Sequence, residues 1–254
     1  MLNICVVFEA QADAKLASDL ADRIFESRMN WIGDDRSLLQ YHRRWVTEFE
    51  SKPFTWVNID SLGLKKRLRF DGKFGREFAK PDAIGARRAI RVLLELFDES
   101  FAIVLIRDTD QDQTRLEGLE QARKEHLERQ PGVPIVLGVA VTKRECWVLS
   151  GFIPCNDLET KLLAEERQYL GFDPTEKSHE LTAKHSESTD KRSAKRVLNK
   201  LTGENQMREE ECWMKTSLDQ LQAKGKSNGL LAYLQEVEKI LVPIMSRPDG
   251  RGIH

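Results

Sequence analysis

Two groups of carboxylates in this chain have the type and spacing for metal-assisted chemistry. Glu9 closes an apolar stretch, Leu2 to Phe8, and Asp13 follows shortly after it; Asp108, Asp110 and Asp112 stand at alternate positions after a second apolar stretch, Phe101 to Ile106. Carboxylates crowded together repel one another, and each takes a raised pKa unless a cation neutralises the group. A divalent metal resolves this. Mg²⁺, or Mn²⁺ in its place, takes hard oxygen ligands and combines one or two carboxylates with waters and phosphate oxygens. So held, it would polarise a phosphodiester and lower the pKa of an attacking water. Glu9, Asp108, Asp110 and Asp112 are the candidate metal ligands, and Glu9, Asp13, Asp108 and Asp110 the candidate catalytic acids. Each acid alone also has a structural reading. An Asp after a strand caps a helix, and an acid in a first helical turn meets the positive end of the helix dipole.

These acids act together only if neighbouring elements place them at one edge. Leu2 to Phe8 reads as a strand, and Leu16, Ala17, Leu20 and Ile24 continue at helical spacing. Phe101 to Ile106 reads as a second strand, 113–129 as a helix, and Val133 to Ala140 as a third strand. Continuous apolar strands alternating with helices indicate an α/β fold with a mostly parallel sheet buried on both faces. Ligands of such sheets bind beyond the carboxyl ends of the strands, where both acidic groups fall.

The same pattern divides the chain into residues 1–152, carrying the sheet, and 153–254, mainly helical. Residues 28–80 exceed what a crossover needs and read as an insertion. Within it, Pro53 to Ile59 is expected to add an edge strand, and Arg69 to Gly75 reads as a turn-rich loop. Thr175 to Lys191 has few large apolar residues and is expected to be an exposed loop. Leu230, Leu234, Val237, Leu241 and Ile244 form a helical stripe, expected to pack on the core in preference to forming a homodimer seam.

Forty Lys and Arg against 41 Asp and Glu leave a formal net charge of −1, so any nucleic-acid contact has to come from local patches. Cys5, Cys146, Cys155 and Cys212 show no CxxC pair, which argues against a zinc knuckle or a disulfide framework and fits a reducing cytoplasm. No apolar run is long enough to cross a bilayer, and no membrane partner is expected.

Val6-Val-Phe-Glu9-Ala-Gln-Ala-Asp13 resembles the first motif of the TOPRIM family, a strand ending in glutamate with a second acid soon after. Ile103-Val-Leu-Ile-Arg-Asp108-Thr-Asp110 resembles its second motif, a strand ending in DxD. Ala10 stands where that family usually has glycine, a departure that bears on how closely the backbone can approach a metal. The closer resemblance is to small TOPRIM-like proteins of bacterial phage-defence loci, in which Glu-x-Trp follows the third core strand. Here that reads Glu145-Cys146-Trp147, and Lys195 matches the basic residue those relatives draw from the C-terminal region. The motifs cover residues 2–27 and 99–152. The resemblance implies a TOPRIM-like, Rossmann-like sheet flanked by helices, with a helical C-terminal region. It further implies Mg²⁺-dependent cleavage of DNA or RNA, with Glu145 and Lys195 among the catalytic residues. A partner ATPase would be a separate chain, because no GxxxxGK[ST] occurs here.

Two other functions compete. A TOPRIM-like domain with a weakened site would serve as a regulatory or nucleic-acid-binding subunit. Alternatively, Asp108-Thr-Asp110 would be the DxD of a phosphatase with an aspartyl nucleophile, although Asp112 stands where that family has threonine. Arg87, Arg88 and Arg91, and the cluster Lys65, Lys66, Arg67 and Arg69, offer local positive charge for a phosphate backbone, while solvated faces are the more common explanation for both. His179 and His185 lie outside any metal-binding spacing.

Overall fold

The apolar stretches form the strands that their composition predicts. The computed structural model describes residues 1–32, 35–65, 73–97, 101–183 and 190–246. In chain order the first part carries β1 (Leu2–Val7), α1 (Gln11–Arg28), α2 (Leu39–His42), β2 (Arg43–Val46), β3 (Glu48–Phe49), β4 (Lys52–Pro53), α3 (Trp56–Lys65), β5 (Lys73–Phe74), β6 (Glu77–Phe78), α4 (Ala83–Leu96), β7 (Phe101–Asp108), α5 (Gln113–Arg129) and β8 (Ile135–Ala140). Helices follow: α6 (Glu145–Ser150), α7 (Asp157–Leu170), α8 (Ala194–Thr202), α9 (Gln206–Lys215), α10 (Leu218–Lys224), α11 (Leu230–Glu236), a π-helical turn at Val237–Leu241, and α12 (Val242–Met245).

The main sheet is parallel, in the order β2-β1-β7-β8, and flanked by helices. Its register pairs Asn3 with Phe101 and Val7 with Leu105, so β1 and β7 are neighbours that finish at the same edge. Ile4 to Val7 and Ala102 to Leu105 are fully buried, as strands covered on both faces must be. The strand beside β1 at the edge is β2; of Pro53 to Ile59, Thr55 meets the end of that sheet in an isolated parallel bridge to Phe8. Arg43-Arg-Trp-Val46 is too polar to read as a strand, yet an edge position tolerates it, because Arg43 and Trp45 both donate to buried Asp22 on α1. The aromatic and β-branched residues of Trp56-Val-Asn-Ile59 enter a helix, whose start is held by the Thr55 hydroxyl accepting from Asn58 N–H. Of the expected loop at Arg69 to Gly75, residues 69–72 lie outside the described residues, and Lys73 to Phe78 form a two-stranded hairpin.

The chain divides into two compact units, each drawn from separate stretches: Met1–Arg107 with Asp112–Gly138 and Gln235–His254, and Asp108–Gln111 with Val139–Leu234. In the first unit α1 buries Leu16, Ala17, Leu20, Ala21, Ile24 and Phe25. The π-helical turn and α12 pack on α1 with Val237, Leu241 and Met245 buried, so this part of the C-terminal stripe is core. Gly118 lets α5 approach α4, since a Cβ there would sit 1.7 Å from the carbonyl oxygen of Pro81.

In the second unit a buried amide organises the helices. Asn228 Nδ2 donates to Cys146 O, Ser150 Oγ and Ser178 Oγ at 2.8–3.0 Å, and its Oδ1 accepts from Leu230 N–H. Its backbone carbonyl accepts from Trp147 Nε1 and from Val141 N–H, and Trp147 stacks on Tyr233 with centroids 5.3 Å apart. Gly229 follows at φ +93°, where a Cβ would also meet Val139 O at 2.0 Å. Thr175, Ser178 and Leu181 of the expected loop at Thr175 to Lys191 are buried here, while Glu176, Lys177, Asp190 and Lys191 are exposed as expected. Small polar residues there fill hydrogen-bonding positions rather than facing water.

Candidate functional site

The loop after β7 is tied to the continuation of β8. Thr109 is buried, its N–H donating to Ala140 O at 2.9 Å and its hydroxyl to Val141 O at 2.7 Å. Asp110 and Gln111 follow with φ of +50° and +67°, two successive non-glycine residues in the left-handed region. Such conformations cost about 1–3 kcal/mol each and gather at functional sites. They persist here because Asp110 N–H reaches Thr142 O and Gln111 N–H reaches Val141 O.

Four of the acids and bases singled out in the sequence lie in this second unit: Asp108, Asp110, Glu145 and Lys195. Asp110 pairs with Lys143. Arg144 lies between two carboxylates, 3.6 Å from Glu145 and 3.8 Å from Glu209. Burial pushes the Glu209 carboxyl above its ordinary pKa; Arg144 and Lys195 oppose that rise and Glu145 adds to it, so the charges of all three act on this one carboxyl. Asp108 and Glu145 both act on the Cys146 thiol, which burial pushes up to about 12, too high for a nucleophile at neutral pH. Glu145 opens helix α6. Lys195 is exposed on α8.

The remaining predicted acids lie in the first unit. Glu9 is exposed, and its Oε1 accepts from Arg107 Nη1 at 2.6 Å; the same guanidinium holds Asp82 at 3.0 and 3.1 Å. Asp13 accepts from Ala10 N–H at 2.8 Å, and Asp112 accepts from Thr114 N–H at 3.0 Å, so both cap the helices they enter. Arg107, Lys143, Arg144 and Glu209 were not chosen from sequence. The first three stand beside the acids at strand ends, a position that itself marks them; Glu209 sits in a Glu209-Glu-Glu211 run that does not distinguish it.

The other basic candidates divide. Arg87 is buried and donates to Glu125, so it is a core ion pair and not a surface grip for a phosphate backbone. Residues 66, 67 and 69 of the second cluster lie outside the described residues, as does His185. Cys5, Cys146 and Cys212 are buried free thiols and Cys155 an exposed one.

The donors that a hard cation needs are present as carboxylates. Among the described residues, however, no three His, Cys, Asp or Glu side chains form a group that could hold a metal ion. Mg²⁺ requires no such cage, because it retains waters and uses one or two carboxylates with phosphate oxygens. Among the described residues no helix is long and apolar enough to cross a membrane. Comparison with protein-family models, with curated proteins and with solved structures finds no match.

Proposed function

We propose that this chain is a metal-dependent nuclease that cleaves DNA or RNA phosphodiesters and works with a separate ATPase in anti-phage defence. The observation that carries this reading lies in the second unit, where Asp110 pairs with Lys143 and, from the next residues along, the charges of Arg144, Glu145 and Lys195 act on the Glu209 carboxyl. The adjacency of β1 and β7, which the paired motifs require, supports it further. In this reading Asp108 and Asp110 hold the Mg²⁺ or Mn²⁺, and Glu9 and Asp112 are tested beside them by substitution. When bound, the ion polarises the phosphodiester and activates water. Lys143 and Arg144 hold positive charge beside the carboxylates and meet the phosphate backbone. Burial raises the Glu209 pKa, the direction that suits a carboxyl to give a proton to a leaving oxygen. The test is cleavage of plasmid DNA, single-stranded DNA and tRNA with Mg²⁺, Mn²⁺ or EDTA.

A second reading rests on a different observation. Glu9 is engaged by Arg107 and Asp110 by Lys143, so protein cations already neutralise both carboxylates. A regulatory or nucleic-acid-binding subunit would retain that arrangement and cut nothing. Binding of nucleic acid without cleavage under every metal condition would select it.

A further inference from the structure

The chain enters α8 through Lys191-Arg-Ser-Ala-Lys-Arg196, four cations in six positions. Arg196 is held by Glu166, its Nη1 and Nη2 donating at 3.0 and 2.7 Å. Lys191, Arg192 and Lys195 are exposed, and among the described residues none of the three makes an ion pair. Asp190, the acid next to them in sequence, uses Oδ1 to accept from the backbone N–H of Arg192, and Arg192 Nη1 reaches only a neutral carbonyl, Glu180 O, at 3.4 Å. The first turn of α8 contains no acid, so these cations stand at or just before the positive end of the helix dipole, an arrangement that an anion stabilises.

Two aromatic rings lie among these cations. Tyr169, at the end of α7, is 52 % exposed; Lys191 Nζ stands 4.9 Å from its ring centre and the Arg196 guanidinium 5.4 Å. Phe172, three residues on and half-buried, has the Arg192 guanidinium 5.8 Å from its centre. A ring contact, unlike a carboxylate, does not neutralise a cation, and it leaves the N–H groups for the oxygens of an anion. Exposed rings set among uncompensated cations suit an unpaired nucleic-acid strand, whose phosphates meet the cations and whose bases stack on the rings or on a guanidinium plane. A duplex or an acidic peptide would use the charge and leave the rings idle. α8 also carries Lys195, whose charge acts on the Glu209 carboxyl, so this face and the candidate site share a helix.

We propose that the face formed by Tyr169, Phe172, Lys191, Arg192 and Lys195 binds single-stranded nucleic acid and so holds the substrate strand. This rests on the proposed function in taking nucleic acid as the substrate, and binding is therefore measured in EDTA, apart from cleavage. The test is fluorescence anisotropy of the full chain with labelled oligothymidylate, oligouridylate and a DNA duplex of the same length, at several salt concentrations. Saturable binding is expected for at least one single strand, tighter than for the duplex. Tyr169→Ala should weaken it about tenfold and Tyr169→Phe leave it unchanged, as stacking on a ring requires. The double variant Lys191→Gln, Arg192→Gln should flatten the dependence of log affinity on log salt by about 0.7 for each charge removed. Both of its positions are exposed, so it keeps the test open if Tyr169→Ala melts below the parent. A duplex or polyglutamate bound as tightly as the single strand, no saturable binding of either strand, parent affinity in a folded Tyr169→Ala, or the parent salt slope in the double variant would overturn the proposal. Strand binding in EDTA with no cleavage under any metal condition would support this face and remove the nuclease reading; metal-dependent cleavage without preferential strand binding would do the reverse.

Discussion

Arg107 Nη1 donates to Glu9 Oε1 at 2.6 Å, directly beyond the register that sets Val7 beside Leu105. A cation there competes with any metal for the Glu9 carboxylate. Arg107→Ala should therefore raise Mg²⁺ affinity in a calorimetric titration if Glu9 is a ligand. It should also cost about 1 kcal/mol in urea denaturation, because the guanidinium is partly buried and holds Asp82 as well. Unchanged Mg²⁺ affinity would remove Glu9 from the metal site.

Asp110 combines a left-handed backbone with a carboxylate paired to Lys143. Glycine meets that backbone without strain, so Asp110→Gly should hold or raise the melting temperature, by an amount equivalent to about 0.5–1 kcal/mol, while abolishing cleavage. A variant that unfolds instead would mark the ion pair as structural.

Glu159 accepts from Arg208 Nε at 2.9 Å and Nη2 at 2.8 Å, and from Cys155 N–H at 2.9 Å. The hydrogen bonds from Arg208, aided by Cys155, hold the carboxyl down to about 2, against 4.5 for an ordinary glutamate. Its contribution to stability is thus complete above pH 4.5 and is lost as pH falls towards about 2. Glu159→Gln should flatten that part of the acid-denaturation profile. Arg208→Ala should cost about 3 kcal/mol near neutral pH, since both partners are largely buried. A wild-type profile in Glu159→Gln would refute the assignment.

Asn228→Ala removes an amide whose two N–H groups are shared among Cys146 O, Ser150 Oγ and Ser178 Oγ, and whose oxygen accepts from Leu230 N–H, from a site with no exposure. The buried hydroxyls and carbonyl it leaves behind predict a loss of about 3 kcal/mol, read as a lower urea midpoint with unchanged slope. A loss below about 1 kcal/mol would mean that the helices of the second unit hold without it.

The parallel core was legible because its strands are apolar on both faces, as Ile4 to Val7 and Ala102 to Leu105 show. Edge strand β2 was not, since Arg43 and Trp45 satisfy an edge through Asp22 on α1 rather than through periodicity. Ser178 looks like a loop residue because its burial rests on hydrogen bonds made far along the chain, to Cys146 and Asn228. At the candidate site, Asp108, Asp110, Glu145 and Lys195 carried recognisable motifs. Their companions Lys143, Arg144 and Glu209 owe their place to the loop after β8 and to the fold of α9, which local pattern does not encode.

The central claim is metal-dependent hydrolysis by Asp108 and Asp110, the carboxylates that follow the apolar part of β7. It is tested most directly by single-turnover cleavage of DNA and tRNA with Mg²⁺ or Mn²⁺, comparing the parent chain with Asp108→Ala and Asp110→Gly, with and without EDTA. The account predicts cleavage that needs metal and falls at least about a hundredfold in both variants, a typical loss when a group stabilising transition-state charge is removed. Cleavage that survives EDTA, or that both variants retain at the parent rate, would contradict it.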